Sequence, residues 1–466
     1  MQKSKTLGVV ITDGVGYRNF IMSNFIGEVS RNFEKVIIYS GLPKGSYSLS
    51  LFPKNIKIIE LPLYKETKPV WFFRKLKEVA HMQLHKNFYG IKDNLDRGYP
   101  ITNSKRALLV KGIYRFSNFF HSERAINKYE YFQFKAFSRD KVTMIFEGLL
   151  KEEKPNILFF THQRPPFLAP LLYLAQKLKI RTTSFIFSWD NLASKGRMMG
   201  NFDSYLVWSD LMKTELQHFY PQTKKNKIHI VGTPQFEPYV MEDYNMSRTD
   251  FCEKFKLDST KKIICYSCAD ADIGRNDEIH IRGIISYIEK KKNLQLLVRT
   301  SPAEVGKRFE KLINEFPEVK WNIPKWQLTR DNHSETWSQR IPMTEDLIDL
   351  KSVLKYSDIS VNMCSTMSLD FMLFDKPVIN TVFGNKKNGL YDDQRFLNYV
   401  HYNYVINSKA VTIAMNEYEL HKQLDESLNN GALRKTYREN LIKLEIGKPL
   451  EMTSERIVKL LIQLCK

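Results

Sequence analysis

The sequence predicts an α/β protein of two successive doubly wound domains, each a parallel sheet covered by helices. Three observations carry that reading. Short β-branched runs recur at helical-length intervals, several are apolar on both faces as strands covered from both sides must be, and the series breaks once and then repeats. The 466 residues suffice for two domains of ordinary size.

The first series runs LGVVIT (7–12), KVIIYS (35–40), IKIIEL (56–61), NILFFT (156–161), TTSFIFS (182–188), SYLVWS (204–209) and IHIVGT (228–233). The second runs KIICYS (262–267), LQLLVRT (294–300), VKWNI (319–323), ISVNMC (359–364) and VINTVF (378–383). Periodic stretches at 278–290, 305–316 and 346–356 read as crossover helices. Gly232, Pro234 and Pro238 punctuate the break in GTPQFEP (232–238) and set a boundary near 240. The expected organisation is an N-terminal domain at 1–240, a second at 241–440, and a tail at 441–466 whose helix over 453–464 can pack back on the first domain.

Residues 65–141 interrupt the first series. They lack strand alternation and read as helical, with 17 Lys or Arg against 7 Asp or Glu and 15 aromatics in 77 residues. This segment holds half of the chain's net charge of +20. Three readings stand. The aromatics of amphipathic helices pack on the core while their charges face water; or the segment lies on an anionic membrane surface; or it binds nucleic acid, for which no recognised signature exists anywhere in the chain.

Composition narrows the class further. A hydrophobic fraction of 43% with 30 Phe, 23 Tyr and 6 Trp excludes a disordered chain. No apolar run approaches the roughly 18 residues of a membrane-spanning helix. Five scattered cysteines give no disulfide framework, so a reducing compartment fits. Leu7–Ile11 is too short for a secretory signal and meets Asp13 directly, and the chain is read as cytoplasmic, peripheral at most on the inner face of the cell membrane.

The most informative stretch is DLKSVLKYSDISVNMCSTMSLDFMLFDKPVINTVFG (349–384). It predicts a helix, a short strand, a Ser365-Thr366 turn, a second helix and a strand introduced by Pro377. A hydroxyl-rich turn at a helix N-terminus can hold phosphate, although Ser365 or Thr366 can equally just cap the helix. CSTMSLDFMLFDKPVI resembles the donor-diphosphate motif of GT-B glycosyltransferases, nearest to bacterial surface-polysaccharide transferases and CDP-glycerol glycerophosphotransferase-like enzymes. The resemblance covers about residues 260–390. It implies two Rossmann-like domains facing a cleft, with a nucleotide-sugar donor as substrate and no further cofactor or metal.

Carried over by residue, the resemblance puts Ser365 and Thr366 at the donor phosphates. In LLVRTSP (296–302), Arg299 and Ser301 stand where those relatives carry a basic residue followed by His-Pro, with Ser in place of His. Arg299 suits a diphosphate and Asp346 a ribose hydroxyl; the alternatives are an ion pair and a dipole-favoured acid at a helix start.

In the first domain, TDGVGYRN (12–19) offers Gly14 and Gly16 for close backbone approach and Arg18 for an anion, though Asn19 breaks a dinucleotide fingerprint. THQRPP (161–166) sets His162 at a strand end as a general base. SWDNLASKGRM (188–198) offers Asp190 as a base or acceptor-binding acid, with Asn191, Lys195 and Arg197 beside it, unless Asp190 and Asn191 only organise a turn. Cys265-x-x-Cys268 lacks a second ligand pair, and the resemblance to GT-B enzymes implies that Asp270-Ala-Asp272 is not needed as a metal motif.

The expected activity is sugar transfer from a nucleotide donor to a glycan or lipid-linked acceptor in bacterial surface polysaccharide synthesis. A glycerophosphotransferase, a nucleotide-sugar 2-epimerase of the same fold and a non-catalytic membrane- or RNA-binding protein are the alternatives.

Overall fold

The computed structural model describes residues 5–465 except 49, 51, 272, 334 and 385–392. Asp272, the second acid of Asp-Ala-Asp, lies outside the described residues.

Fifteen strands are formed among the described residues: β1 (Thr6–Ile11), β2 (Lys35–Ser40), β3 (Ile56–Glu60), β4 (Ile157–Phe160), β5 (Arg181–Phe185), β6 (Ser204–Val207), β7 (Ile228–Ile230), β8 (Lys262–Ser267), β9 (Leu294–Arg299), β10 (Lys320–Asn322), β11 (Trp326–Leu328), β12 (Arg340–Pro342), β13 (Ile359–Asn362), β14 (Val378–Thr381) and β15 (Thr412–Ala414). They make a seven-stranded sheet ordered β3-β2-β1-β4-β5-β6-β7, a six-stranded sheet ordered β10-β9-β8-β13-β14-β15, and a β11-β12 pair. Every pairing in the two large sheets is parallel. In both, chain order reverses beside the first strand, between β1 and β4 and between β8 and β13. Those are the switch points at which doubly wound sheets leave a crevice at the strands' carboxyl ends.

Contacts divide the chain into two units. Unit 1 comprises residues 1–237, 329–339 and 446–466; unit 2 comprises 238–328 and 340–445. The excursion 329–339, between β11 and β12, therefore belongs with unit 1. Helix Thr453–Leu464 also belongs to unit 1 and packs on helix Phe25–Asn32.

The core of unit 1 includes an aromatic cluster in which Phe20 meets Phe25, Phe159 and Phe185 edge-on at 5.2–5.6 Å. Residues 65–141 form helices Lys68–Leu84, Tyr89–Arg97, Lys105–Phe119 and Glu123–Phe137, placed in the crossover from edge strand β3 to β4. Pro69 opens the first, while Ser104 and Ser122 cap the third and fourth by accepting the Ala107 and Ala125 amides. The first and fourth helices bury Val70, Val79, Ile126 and Phe137, and Lys77 bridges Glu130 to the Met199 carbonyl. Many aromatics remain outside: Phe116, Phe119, Phe120, Tyr131 and Phe132 are exposed. No helix among the described residues is long and apolar enough to cross a membrane.

Candidate active site

In unit 1 the switch point gathers three loops. β1 ends at Thr12-Asp13, and Asp13 is the extended N-cap of helix Gly14–Ile21, its Oδ1 accepting the Gly16 amide at 2.8 Å. A Cβ on Gly16 would lie 2.9 Å from Thr161 Oγ1, so glycine is required where this turn packs against the end of β4. The other oxygen of Asp13 accepts from Thr12 Oγ1 at 2.7 Å and from His162 Nδ1 at 3.0 Å. His162 lies stacked on Phe187, with ring centroids 3.9 Å apart. Its Nε2 is buried and has no hydrogen-bond partner among the described residues.

Electrostatics fix the protonation state. Burial lowers the His162 pKa below 6.5, against the hydrogen bond and charge of Asp13. Burial also opposes ionisation of Asp13, but the His162 hydrogen bond and charge, the Gly16 amide and the Thr12 hydroxyl hold it below the ordinary aspartate value. The imidazole is therefore neutral near pH 7, its Nδ1 proton on Asp13 and its Nε2 lone pair unpartnered, the tautomer a general base needs.

Arg164, two residues on, is half-buried, and its Nε has neither solvent nor partner. It makes no ion pair among the described residues; Glu78 and Glu335 are electrostatic neighbours rather than contacts. Glu335, brought in by the 329–339 excursion, is held above the usual carboxylate range by burial and by Asp13. An unpaired guanidinium within electrostatic reach of an unpartnered imidazole is a candidate anion site next to a base.

The SWDNLASKGRM loop joins this site through Gln163, whose Nε2 donates to Asn191 Oδ1 at 3.1 Å and whose Oε1 accepts the Phe187 amide. Asp190 accepts from Asn191 Nδ2 and Ser194 Oγ and faces Lys195 at 3.6 Å, so it organises its own loop. Arg197 of the same loop is buried: it pairs with Glu123 at 2.9 Å and lies over the Tyr220 ring. His81, His85 and Glu123 bring three donor atoms within 4.8 Å of one another, but the same guanidinium occupies the space a cation would need. Arg18 is half-buried in the last turn of its helix.

In unit 2 the motif turn follows β13, with Cys364 in the left-handed region at φ 46°. Asn362 Oδ1 accepts the Ser365 amide at 3.0 Å and the Ser368 hydroxyl at 3.1 Å, while Ser365 Oγ accepts the Met367 amide. Ser365 thus helps to open helix Met367–Met372, whose N-cap is Thr366, and both residues are half-buried. Asp370 of the motif is buried and accepts from Tyr239. The Cys265 and Cys268 thiols are both buried and unbridged.

Two expectations are corrected. Arg299 and Asp346 bind each other through Arg299 Nη2, at 3.0 and 3.1 Å. Arg299 also donates to Asn322, and Asp346 accepts from the Lys325 amide and Trp326 Nε1. Both side chains are 3–4% exposed, and they tie β9, β10 and β11 to the helix at Thr344–Tyr356 rather than facing a ligand. Ser301 closes the turn after β9 by accepting the Ala303 amide.

No family model and no curated protein matches the sequence. Solved structures match along the whole chain. The S. aureus MnaA–UDP complex aligns at TM-score 0.54 and 10% identity over 99% of this chain and 98% of its own. UDP-GlcNAc 2-epimerase from Neisseria meningitidis bound to UDP-GlcNAc aligns at 0.54 and 11% over 99% and 100%. A glycosyltransferase from Rickettsia africae aligns at 0.53 and 12% over the full length of both. At these identities the likeness establishes the fold: two Rossmann-like sheets of the GT-B type, as the motif at 364–379 implied.

Proposed function

We propose that the chain is a glycosyltransferase that moves a sugar from a nucleotide-activated donor to a glycan or lipid-linked acceptor, with unit 2 holding the donor and unit 1 the acceptor. The observation that supports it is the His162–Asp13 pair, with Nε2 unpartnered near unpaired Arg164 at the unit 1 switch point. In this reading His162 Nε2 takes the acceptor hydroxyl's proton as that oxygen bonds to the anomeric carbon. The bond from that carbon to the donor phosphate breaks, and the pair of electrons leaves with the nucleoside diphosphate. Asp13 stabilises the imidazolium formed. Within unit 2 the Ser365-Thr366 turn is the group assigned to the donor phosphates, and within unit 1 Lys195 and Asn191 are those assigned to the acceptor. A glycerophosphoryl donor would use the same groups.

Binding of UDP and UDP-GlcNAc by structures of this fold supports a second reading, a nucleotide-sugar 2-epimerase. A base serves that chemistry too, at a sugar carbon, but an acceptor-free reaction has no use for a large apolar pocket such as the one that Leu63, Trp71, Phe72, Leu109 and Phe167 line in unit 1. A thermal-shift panel of UDP, GDP, CDP, CMP and dTDP tests both readings: stabilisation by one names the donor class, and indifference to all sinks both. Proton NMR of the stabilising donor's sugar, with no acceptor present, separates them, since only an epimerase converts it.

A further inference from the structure

We infer that unit 1 binds a long-chain lipid phosphate or diphosphate, its hydrocarbon chain in the pocket on the 65–141 helices and its phosphate on the basic rim. This deepens the acceptor side of the transferase reading and rests on it only for what happens to the head group.

The pocket has a volume of about 1220 Å³. That exceeds the roughly 300–1,000 Å³ that holds a drug-sized molecule. Leu63, Trp71, Phe72, Leu109 and Phe167 line it. A sugar in such a place would lose its water hydrogen bonds and gain few in return, whereas a hydrocarbon chain loses nothing.

The rim supplies the charge. Lys65, Lys68, Lys105 and Arg106 border the pocket, all exposed, and none has an ion-pair partner among the described residues. Arg106 lies over the Trp71 ring at 5.4 Å, which joins rim to wall. Arg74 is different: Glu66 and Glu78 already neutralise it. The unpaired cations match a phosphate monoester or diester, and the apolar wall matches only a ligand that carries a chain.

Position adds the link to chemistry. Pro166 and Phe167 line the pocket and follow Arg164 almost directly, and Glu335 lies on its wall within electrostatic reach of Asp13. The pocket wall thus adjoins the loop that carries His162 and Arg164. The exposed Leu108, Phe116 and Phe119 of one helix, Phe120 at its C-cap, and Tyr131 and Phe132 of another helix give the same segment apolar surface suited to the bilayer from which such a lipid would be drawn.

Isothermal titration of the full chain with dodecyl phosphate, dodecyl maltoside, inorganic pyrophosphate and a single-stranded oligonucleotide tests this. Saturable binding of dodecyl phosphate is expected, with the other three about tenfold weaker or absent. Lys68→Glu/Lys105→Glu and, separately, Leu109→Glu should each weaken dodecyl phosphate about tenfold at an unchanged melting temperature, all three positions being exposed. Equal affinity for the maltoside, pyrophosphate binding as tight as the lipid's, displacement by the oligonucleotide, or indifference to both variants would each overturn the assignment. Neither nucleotide nor turnover enters the measurement, so its failure leaves the donor panel standing, and failure of that panel leaves this one interpretable.

Discussion

Nδ1 of His162 and Oδ2 of Asp13 meet at 3.0 Å across 149 residues of sequence. The contact joins the ends of β1 and β4, neighbours in the sheet but separated in the chain by β2, β3 and the whole helical insertion. One carboxylate therefore has two tasks: it starts a helix through Oδ1 and orients an imidazole through Oδ2.

The two tasks can be separated. Asn is as good an N-cap as Asp, so Asp13→Asn should keep the melting temperature within a few degrees while slowing turnover. His162→Ala should slow it by roughly 10²–10⁴, the usual worth of a general base. Neither change should alter the thermal shift given by the donor nucleotide. Loss of that shift in either variant would place the pair at the donor instead.

The pH profile carries a sign. A base with a lowered pKa gives a rate that rises with pH on the acid side of 6.5 and is flat above it. Asp13 and Asp190 raise the His162 pKa while burial and Arg164 lower it. Asp13→Asn should therefore move the acid limb to lower pH, and a shift to higher pH in steady-state kinetics would contradict the arrangement.

Much of this was legible in the sequence, and the exceptions share a cause. All twelve expected strands form, because buried parallel strands are continuous apolar runs that need no partner to be recognised. The missed strands β11, β12 and β15 have three residues each, no more than β7 and β10, which are marked by the longer runs IHIVGT and VKWNI around them. His162, Gly14 and Gly16 could be found from their place after strand-like runs. Asp13 could not be told from any polar turn residue, because its partner is supplied by topology. The same blindness misled for Arg299 and Asp346: each stands at an element end where ligands bind, and only folding shows that each is the other's ligand. Nor does local sequence show that 329–339 belongs to unit 1, because the excursion is defined by what it packs on.

Arg299 and Asp346 give a stability prediction. Removing one member of a buried pair leaves an uncompensated charge, so Asp346→Ala should cost about 3–5 kcal/mol in denaturant unfolding. Arg299→Met/Asp346→Leu should recover much of it, since both charges then leave together. If the double variant is as unstable as the single one, the hydrogen bonds to Asn322 and Trp326 dominate the site.

Arg164 should behave in the opposite way. A half-buried guanidinium with no ion pair is retained at a cost in stability, so Arg164→Met should hold or raise the melting temperature while turnover falls. A drop in both, followed by differential scanning calorimetry and activity, would make Arg164 part of the scaffold.

Glu215 predicts a pH dependence of folding. Burial, reinforced by Asp190, raises its pKa to about 8, and Oε1 has no partner among the described residues. A carboxyl whose folded pKa lies above its unfolded value stabilises fully below the unfolded value near 4.5 and loses that contribution as pH rises toward about 8. Across that window each pH unit removes at most roughly 1.4 kcal/mol. Glu215→Gln keeps the shape without the proton to lose, so its stability should be flatter between pH 5 and 8 than that of the unaltered protein. Urea midpoints at several pH values decide the matter: parallel curves for the two proteins would mean that Glu215 is ionised in the folded state, with a cation or water satisfying Oε1.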